Sequence, residues 1–233
     1  MQLLKALTPI TVLSFDLDDT LYNNKPVIAA AEQAMLAALF KHAPVTITTD
    51  SDFWWQQRLR LAEITPDIRH DLGRWRLLAI DAGLQSLGLS SCEAGEIAQL
   101  AYDAFIQART RISVHQAIKN LLQQLASQYQ LIAITNGNAC IDKMGIGQWF
   151  RFSLQAGPDG KMKPYPDMYL KAAQRLNIAP KQILHIGDSH RADVMGALKA
   201  GCQSAWLDHY NSRVAILPHI RLTNIHNLKA MLK

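Results

Sequence analysis

The sequence predicts an α/β protein with a doubly wound, Rossmann-like parallel sheet, interrupted after its first strand by an inserted helical domain. Two observations carry this expectation. From residue 114 onward, short apolar runs alternate with helical patterns, as βαβ units require. Between residues 25 and 109 the pattern is helical throughout. The expected domains are therefore 1–24 with 110–233 for the α/β core, and 25–109 for the helical insert.

Ile10 to Phe15 is short, apolar and partly β-branched, and reads as a buried strand ending where Asp16 begins. Pro26 fits a first helical turn, and Val27, Ala31, Ala34, Met35 and Ala38 form one apolar stripe. A second helix is expected over 52–63, stopping before Pro66, and a third from near Asp67, carrying Arg69, His70, Arg74, Trp75 and Leu78. A fourth opens with the capping box Ser90-x-x-Glu93 and shows Ile97, Leu100, Ala101, Ala104, Phe105 and Ala108 on one face. After Ser113 come a helix marked by Val114, Ile118, Leu121, Leu122 and Leu125, then a strand over 131–135. A weaker strand at 152–156, a helix at 167–176 and a strand at 183–186 follow. A helix at 193–200 and a strand at 204–207 complete the pattern.

Composition narrows the function classes. The chain has 233 residues, of which 49% are hydrophobic and 18% charged, enough apolar content for a full core. The net charge of +5 is modest and no basic run gathers it, so nucleic acid is not an expected partner. Cys92, Cys140 and Cys202 are scattered, without CxxC or histidine at metal spacing, and read as free thiols in a reducing compartment. Pro9 and the early acids argue against a signal peptide, and no run approaches the roughly 18 apolar residues of a membrane span. The expected location is the cytoplasm, with no membrane partner.

Four polar segments fall after core strands or at a helix start: Asp16-Leu-Asp18-Asp19-Thr20, Thr135-Asn136-Gly137-Asn138, Lys163-Pro164, and Gly187-Asp188 through Asp193. In open parallel sheets, ligands bind outside the carboxyl ends of the strands. Taken singly, each segment has an ordinary reading as a turn, a cap or a surface lysine. Together they gather carboxylates. Two such charges about 4 Å apart repel by about 4 kcal/mol at an effective dielectric near 20. A site holding Asp16, Asp18 and Asp188 therefore calls for a cation, and oxygen-only ligands favour Mg²⁺.

These motifs resemble those of the haloacid dehalogenase (HAD) superfamily in its phosphatase branch: DxDxT, a strand ending in Thr or Ser, a Lys, and GDxxxxD. The resemblance covers the whole chain, and the insert matches the family's α-helical cap. It implies a Mg²⁺-dependent phosphomonoester hydrolase acting on a small-molecule phosphate ester. In that role Asp16 is the nucleophile that becomes an aspartyl-phosphate, and Asp18 is the general acid and base. Mg²⁺ is held by the side chains of Asp16 and Asp188 and the backbone carbonyl of Asp18. Thr135, Asn136, Gly137 and Lys163 bind the phosphoryl group. Asp193 supports Lys163 or the metal's waters, a role set against the simpler one of a helix N-terminal acid. The family pattern usually has Gly where this chain has Asp19.

The stretches FDLDDTLY, RHDLGRWR and AITNGN are similar to those of the YigB group of bacterial flavin-pathway phosphatases. That similarity implies 5-amino-6-(5-phospho-D-ribitylamino)uracil and FMN as substrates. In a capped family member the insert selects the leaving group, which makes Tyr22, Asn23, Arg74 and Trp75 specificity candidates, against the ordinary reading that the tryptophans pack the cap's own core. The alternatives are a HAD phosphatase or phosphomutase acting on sugar phosphates or nucleotides, and a non-enzymatic Mg²⁺/phosphate receiver module. Asp18 argues against the receiver and against a dehalogenase, and a dinucleotide-binding protein fails for want of GxGxxG.

Overall fold

The computed structural model describes residues 1–210 and 212–232. They form two compact units, one of residues 1–23 with 112–233 and one of residues 24–111.

The first unit is built on a seven-stranded sheet. Its strands are β1 (Gln2–Leu3), β2 (Val12–Phe15), β3 (Gln130–Thr135), β4 (Phe150–Gln155), β5 (Ile183–Gly187), β6 (Gln203–Leu207) and β7 (Ile220–Leu222). The order is β1-β7-β6-β5-β2-β3-β4, and every pairing is parallel except β1 with β7. Strands β2, β5 and β6 are buried at every position, as expected when helices cover both faces of a parallel sheet. From β2 the chain builds outward to β3 and β4, then returns to the other side of β2 for β5, β6 and β7. This reversal makes the carboxyl ends of β2 and β5 a topological switch point, where a crevice opens.

The sequence expectation of a doubly wound parallel core holds, with differences at the edges. Strands β1 and β7 carry two and three residues, too few for a period to show. The helix expected from 193 is a π-helical turn over His190–Val194 followed by α7 (Met195–Lys199). The unit's other α-helices among the described residues are α5 (Gln116–Ala126) and α6 (Asp167–Leu176). Met168, Tyr169, Ala172 and Ala173 of α6 pack with Val12, Ile132 and Ile183 of the sheet.

The second unit holds α1 (Lys25–His42), α2 (Ser51–Ile64), α3 (Leu72–Ser86) and α4 (Ser91–Arg109). Three start at side-chain caps: Asp50 accepts from the Phe53 amide at 2.9 Å, Asp71 accepts from the Arg74 amide at 2.9 Å, and Ser90 and Glu93 form the expected capping box. Residues 66–70 form a separate 3₁₀ turn rather than the start of α3, because Asp71 takes the cap position. The core face of α4 is Ala94, Ala98, Ala101 and Phe105, which shares Ala101 and Phe105 with the expected stripe but is rotated about the helix axis, leaving Leu100 47% exposed. No helix among the described residues is long and apolar enough to cross a membrane.

Candidate active site

Three of the four polar segments leave the carboxyl ends of adjacent parallel strands: Asp16 follows β2, Thr135 ends β3, and Asp188 follows β5. Lys163 reaches the same place from the loop before α6, across a cis peptide bond to Pro164. Its ammonium is 2.9 Å from Asp16 Oδ1 and 2.7 Å from Asp193 Oδ1, and donates to the Ile134 carbonyl at 2.8 Å. The lysine is 2% exposed, so its three donors are saturated inside the protein.

One ammonium thus serves two carboxylates, and they do not share it equally. Burial penalises the charge of Asp193, but Lys163 and His185 outweigh it and hold the carboxyl well below its usual range. Asp193 Oδ1 is also 3.0 Å from His185 Nε2, and Oδ2 accepts the Ser189 amide at 2.9 Å. Among the described residues Asp16 has Lys163 as its one cationic partner. Burial, set against that one cation and reinforced by Asp193 and Asp18, raises it to about 7. Lys163 is held in its charged form: burial opposes the charge, and Asp16 and Asp193 more than offset it. Burial also raises Asp188, with Asp193 adding to the effect. Asp16, Asp188 and Asp193 each offer an oxygen within 4.8 Å of the others.

His185 and Ser14 are residues that sequence reasoning missed. His185 lies mid-β5, and its Nδ1 is 2.9 Å from Ser14 Oγ, its in-register partner on β2. Burial lowers the imidazole to about 4, so it is neutral and bridges Ser14 to Asp193. The available signal was a pair of polar residues at matching depth in two otherwise apolar strands. Two further groups steady Asp188: Thr20 donates to its carboxylate at 3.2 Å, and the Trp206 indole donates to its carbonyl at 2.8 Å.

The remaining candidates fall in varied places. Asn136 directs its amide at the Lys163 backbone, accepting from the amide at 2.7 Å and donating to the carbonyl at 3.0 Å. It therefore fixes the lysine's loop. Thr135 is buried, and its hydroxyl accepts the Gly137 amide at 3.1 Å. The Tyr22 hydroxyl donates to Asp18, which ties the tyrosine to the loop after β2. Asp19 has φ 55°, in the left-handed region, where Gly is easiest and Asp is among the better-tolerated residues. This is the backbone reason for a glycine preference at that position. In the helical unit Arg74 is exposed, while Trp75 is buried beside Ala62 and Ile68 and donates to the Arg58 carbonyl at 2.7 Å. Trp75 is thus part of that unit's own core.

Gly187 shows how tightly this site is packed. A Cβ there would lie 2.2 Å from Asp193 Cγ. Gly187→Ala is expected to displace the Asp193 carboxylate and break its bonds to Lys163 and His185. The expected result is a loss of about 3–5 kcal/mol in denaturant unfolding, as for other broken buried ion pairs. An unchanged unfolding midpoint would contradict it.

Residues 10–201 match the haloacid dehalogenase-like hydrolase family. The chain belongs to that family. It is 37% identical over 238 aligned residues, covering 100% of both chains, to the 5-amino-6-(5-phospho-D-ribitylamino)uracil phosphatase YigB of Escherichia coli K12. It is 27% identical to a phosphoglycolate phosphatase of Pseudomonas putida, covering 99% of this chain and 81% of the relative. Among solved structures, one described as the 2-haloacid dehalogenase of Pseudomonas syringae pv. tomato DC3000 superposes with a TM-score of 0.90 at 30% identity, covering 96% and 98% of the two chains.

Proposed function

We propose that this hydrolase is a Mg²⁺-dependent phosphomonoesterase working through an aspartyl-phosphate on Asp16, with 5-amino-6-(5-phospho-D-ribitylamino)uracil and FMN as substrates. The observation that carries the reaction is the Lys163 bridge between Asp16 and Asp193 at the sheet's switch point. The end-to-end similarity to the uracil phosphatase supports the substrate class. We assign residues 25–109 as the cap.

The donor set fits Mg²⁺. Both oxygens of Asp193 are already engaged, whereas Asp16 and Asp188 are raised by burial, with neighbouring acids adding to the effect. Their side chains, with the Asp18 carbonyl, would hold the ion. The ion would neutralise charge on the phosphoryl oxygens and orient them.

The chain's own residues account for the steps. Lys163 pins Asp16 Oδ1, which leaves Oδ2 to attack phosphorus. Asp18, oriented by Tyr22, protonates the leaving alcohol oxygen as the phosphorus–oxygen bond breaks. Asp18 then takes a proton from water as that water attacks the aspartyl-phosphate. Orthophosphate leaves and the Asp16 carboxylate is restored. The Thr135 hydroxyl, which accepts the Gly137 amide and keeps its own proton, would donate to the charge spread over the equatorial oxygens. Asp18 also weighs against a dehalogenase, since a departing halide needs no proton.

A substrate panel at fixed Mg²⁺ tests the proposal. The flavin-type phosphates are expected to show higher kcat/KM than p-nitrophenyl phosphate or sugar phosphates. Sugar phosphates ranking first would overturn the substrate class.

The pH dependence separates metal-bound from metal-free protein. Asp16 is raised in the fold, so its contribution to stability is full below the unfolded value near 3.8 and is lost as pH rises through about 7. His185 acts in the opposite sense: its contribution is full above the unfolded value near 6.5 and is lost as pH falls towards 4. Without metal the two offset each other in mild acid. A cation suppresses the Asp16 effect. Mg²⁺ is therefore expected to raise Tm more at pH 8 than at pH 5.5, and calorimetry showing the reverse order would count against Asp16 as a ligand.

A further inference from the structure

The helical unit contains a cavity of about 330 Å³ between α1, α2 and α3, at the lower end of the range for small-ligand sites. Its lining includes Arg58 and Arg76, with Trp54, Trp55 and Leu36. Arg76 lies over the Phe105 ring at 3.9 Å and is 3.6 Å from the carboxylate of Glu32. The guanidinium of Arg58 is 4.2 Å from the Trp75 ring centroid and 5.3 Å from that of Trp55. Aromatic faces thus hold Arg58 in place, and among the described residues no carboxylate pairs with it. Burial, with Arg76 nearby, lowers it to about 10.

Two buried donors in this lining have no acceptor among the described residues: Arg58 Nε and Trp54 Nε1. Trp54 is 4% exposed. Its benzene edge is fixed against α3 at Gly83, where an added Cβ would lie 2.7 Å from Cζ3. The N–H lies on the opposite edge of the ring. Buried N–H groups are nearly always satisfied, so two orphans in one cavity call for acceptors from outside the chain. Glu32 and Asp52 at the edge disfavour a dianion. The exposed ring of Trp55 and the side chain of Leu36 suit an apolar body.

We propose that this cavity binds a small organic monoanion, a carboxylate on an aromatic or aliphatic body. The Arg58 fork takes the carboxylate oxygens, Trp54 donates to one of them, and Trp55 covers the apolar part. This site does not depend on the phosphate chemistry proposed above.

The test titrates benzoate, neutral benzamide and inorganic phosphate into the full-length chain, following the indole N–H signals of its five tryptophans by ¹H–¹⁵N correlation. Trp54→Phe assigns the Trp54 signal. That signal is expected to shift saturably with benzoate, with benzamide and phosphate each at least about 10-fold weaker. Arg58→Gln should weaken benzoate by about 10-fold or more while hydrolysis of p-nitrophenyl phosphate is unchanged. Arg58→Lys, which keeps the charge and loses the fork, should fall between and serves as the test should the Gln variant not fold. Absence of a saturable Trp54 shift overturns the proposal. So does benzamide binding as tightly as benzoate, phosphate binding more tightly, or wild-type affinity in both Arg58 variants.

Discussion

Asp16→Asn is expected to lower orthophosphate release by about 10⁴-fold or more while raising thermal stability. The two effects have one origin. In the fold, burial and the neighbouring acids disfavour the Asp16 charge, and Lys163 compensates only in part. An amide of the same shape removes that charge, at about 1.4 kcal/mol for each unit by which the carboxyl had been raised. Lys163 keeps Asp193 and the Ile134 carbonyl, so no buried charge is left alone. The amide nitrogen and oxygen are poor nucleophiles, so activity is lost. Steady-state kinetics with thermal unfolding at pH 8 measures both. A stable variant with undiminished turnover would remove Asp16 from the chemistry. A destabilised one would mean that its charge is structural.

Lys163→Met is expected to have a large effect on folding. It leaves Asp16 and Asp193 facing each other without the ammonium 2.9 and 2.7 Å away. Removing one partner of a buried ion pair costs about 3–5 kcal/mol. For a chain of this size that corresponds to a fall in Tm of roughly 10 °C. Because Asp16 without the lysine takes up a proton readily, the loss should be smaller at pH 5 than at pH 8. Thermal unfolding at the two pH values checks the order. A Tm within experimental error of wild type at pH 8 would show that the network is not the structural centre of the site.

Much of this arrangement was legible in the sequence because parallel strands place their carboxyl ends along one edge. Once 10–15, 131–135 and 183–186 read as strands, the polar residues following each had to meet. Lys163 was legible by motif, but the 3 Å bridge it makes was not, since the loop before α6 carries no period. His185 was hidden inside an apolar run and became meaningful only through the register that faces it with Ser14. The short strands Gln2–Leu3 and Ile220–Leu222 offered too few residues to show alternation. In the helical unit the cap at Ser90 and the helix types were readable, whereas the start of α3 was placed near Asp67 and lies at the Asp71 cap. Side-chain fates were less readable: Trp54 and Trp75 turned inward while Trp55, next to Trp54 on α2, remained 45% exposed.

The stereochemical course at phosphorus tests the central claim most directly. A substrate made chiral with oxygen isotopes is hydrolysed in water carrying the third isotope, and the configuration of the released phosphate is read. Attack by Asp16 followed by attack of water on the aspartyl-phosphate comprises two in-line displacements and predicts net retention. Net inversion would mean a single direct attack by water and would contradict the account.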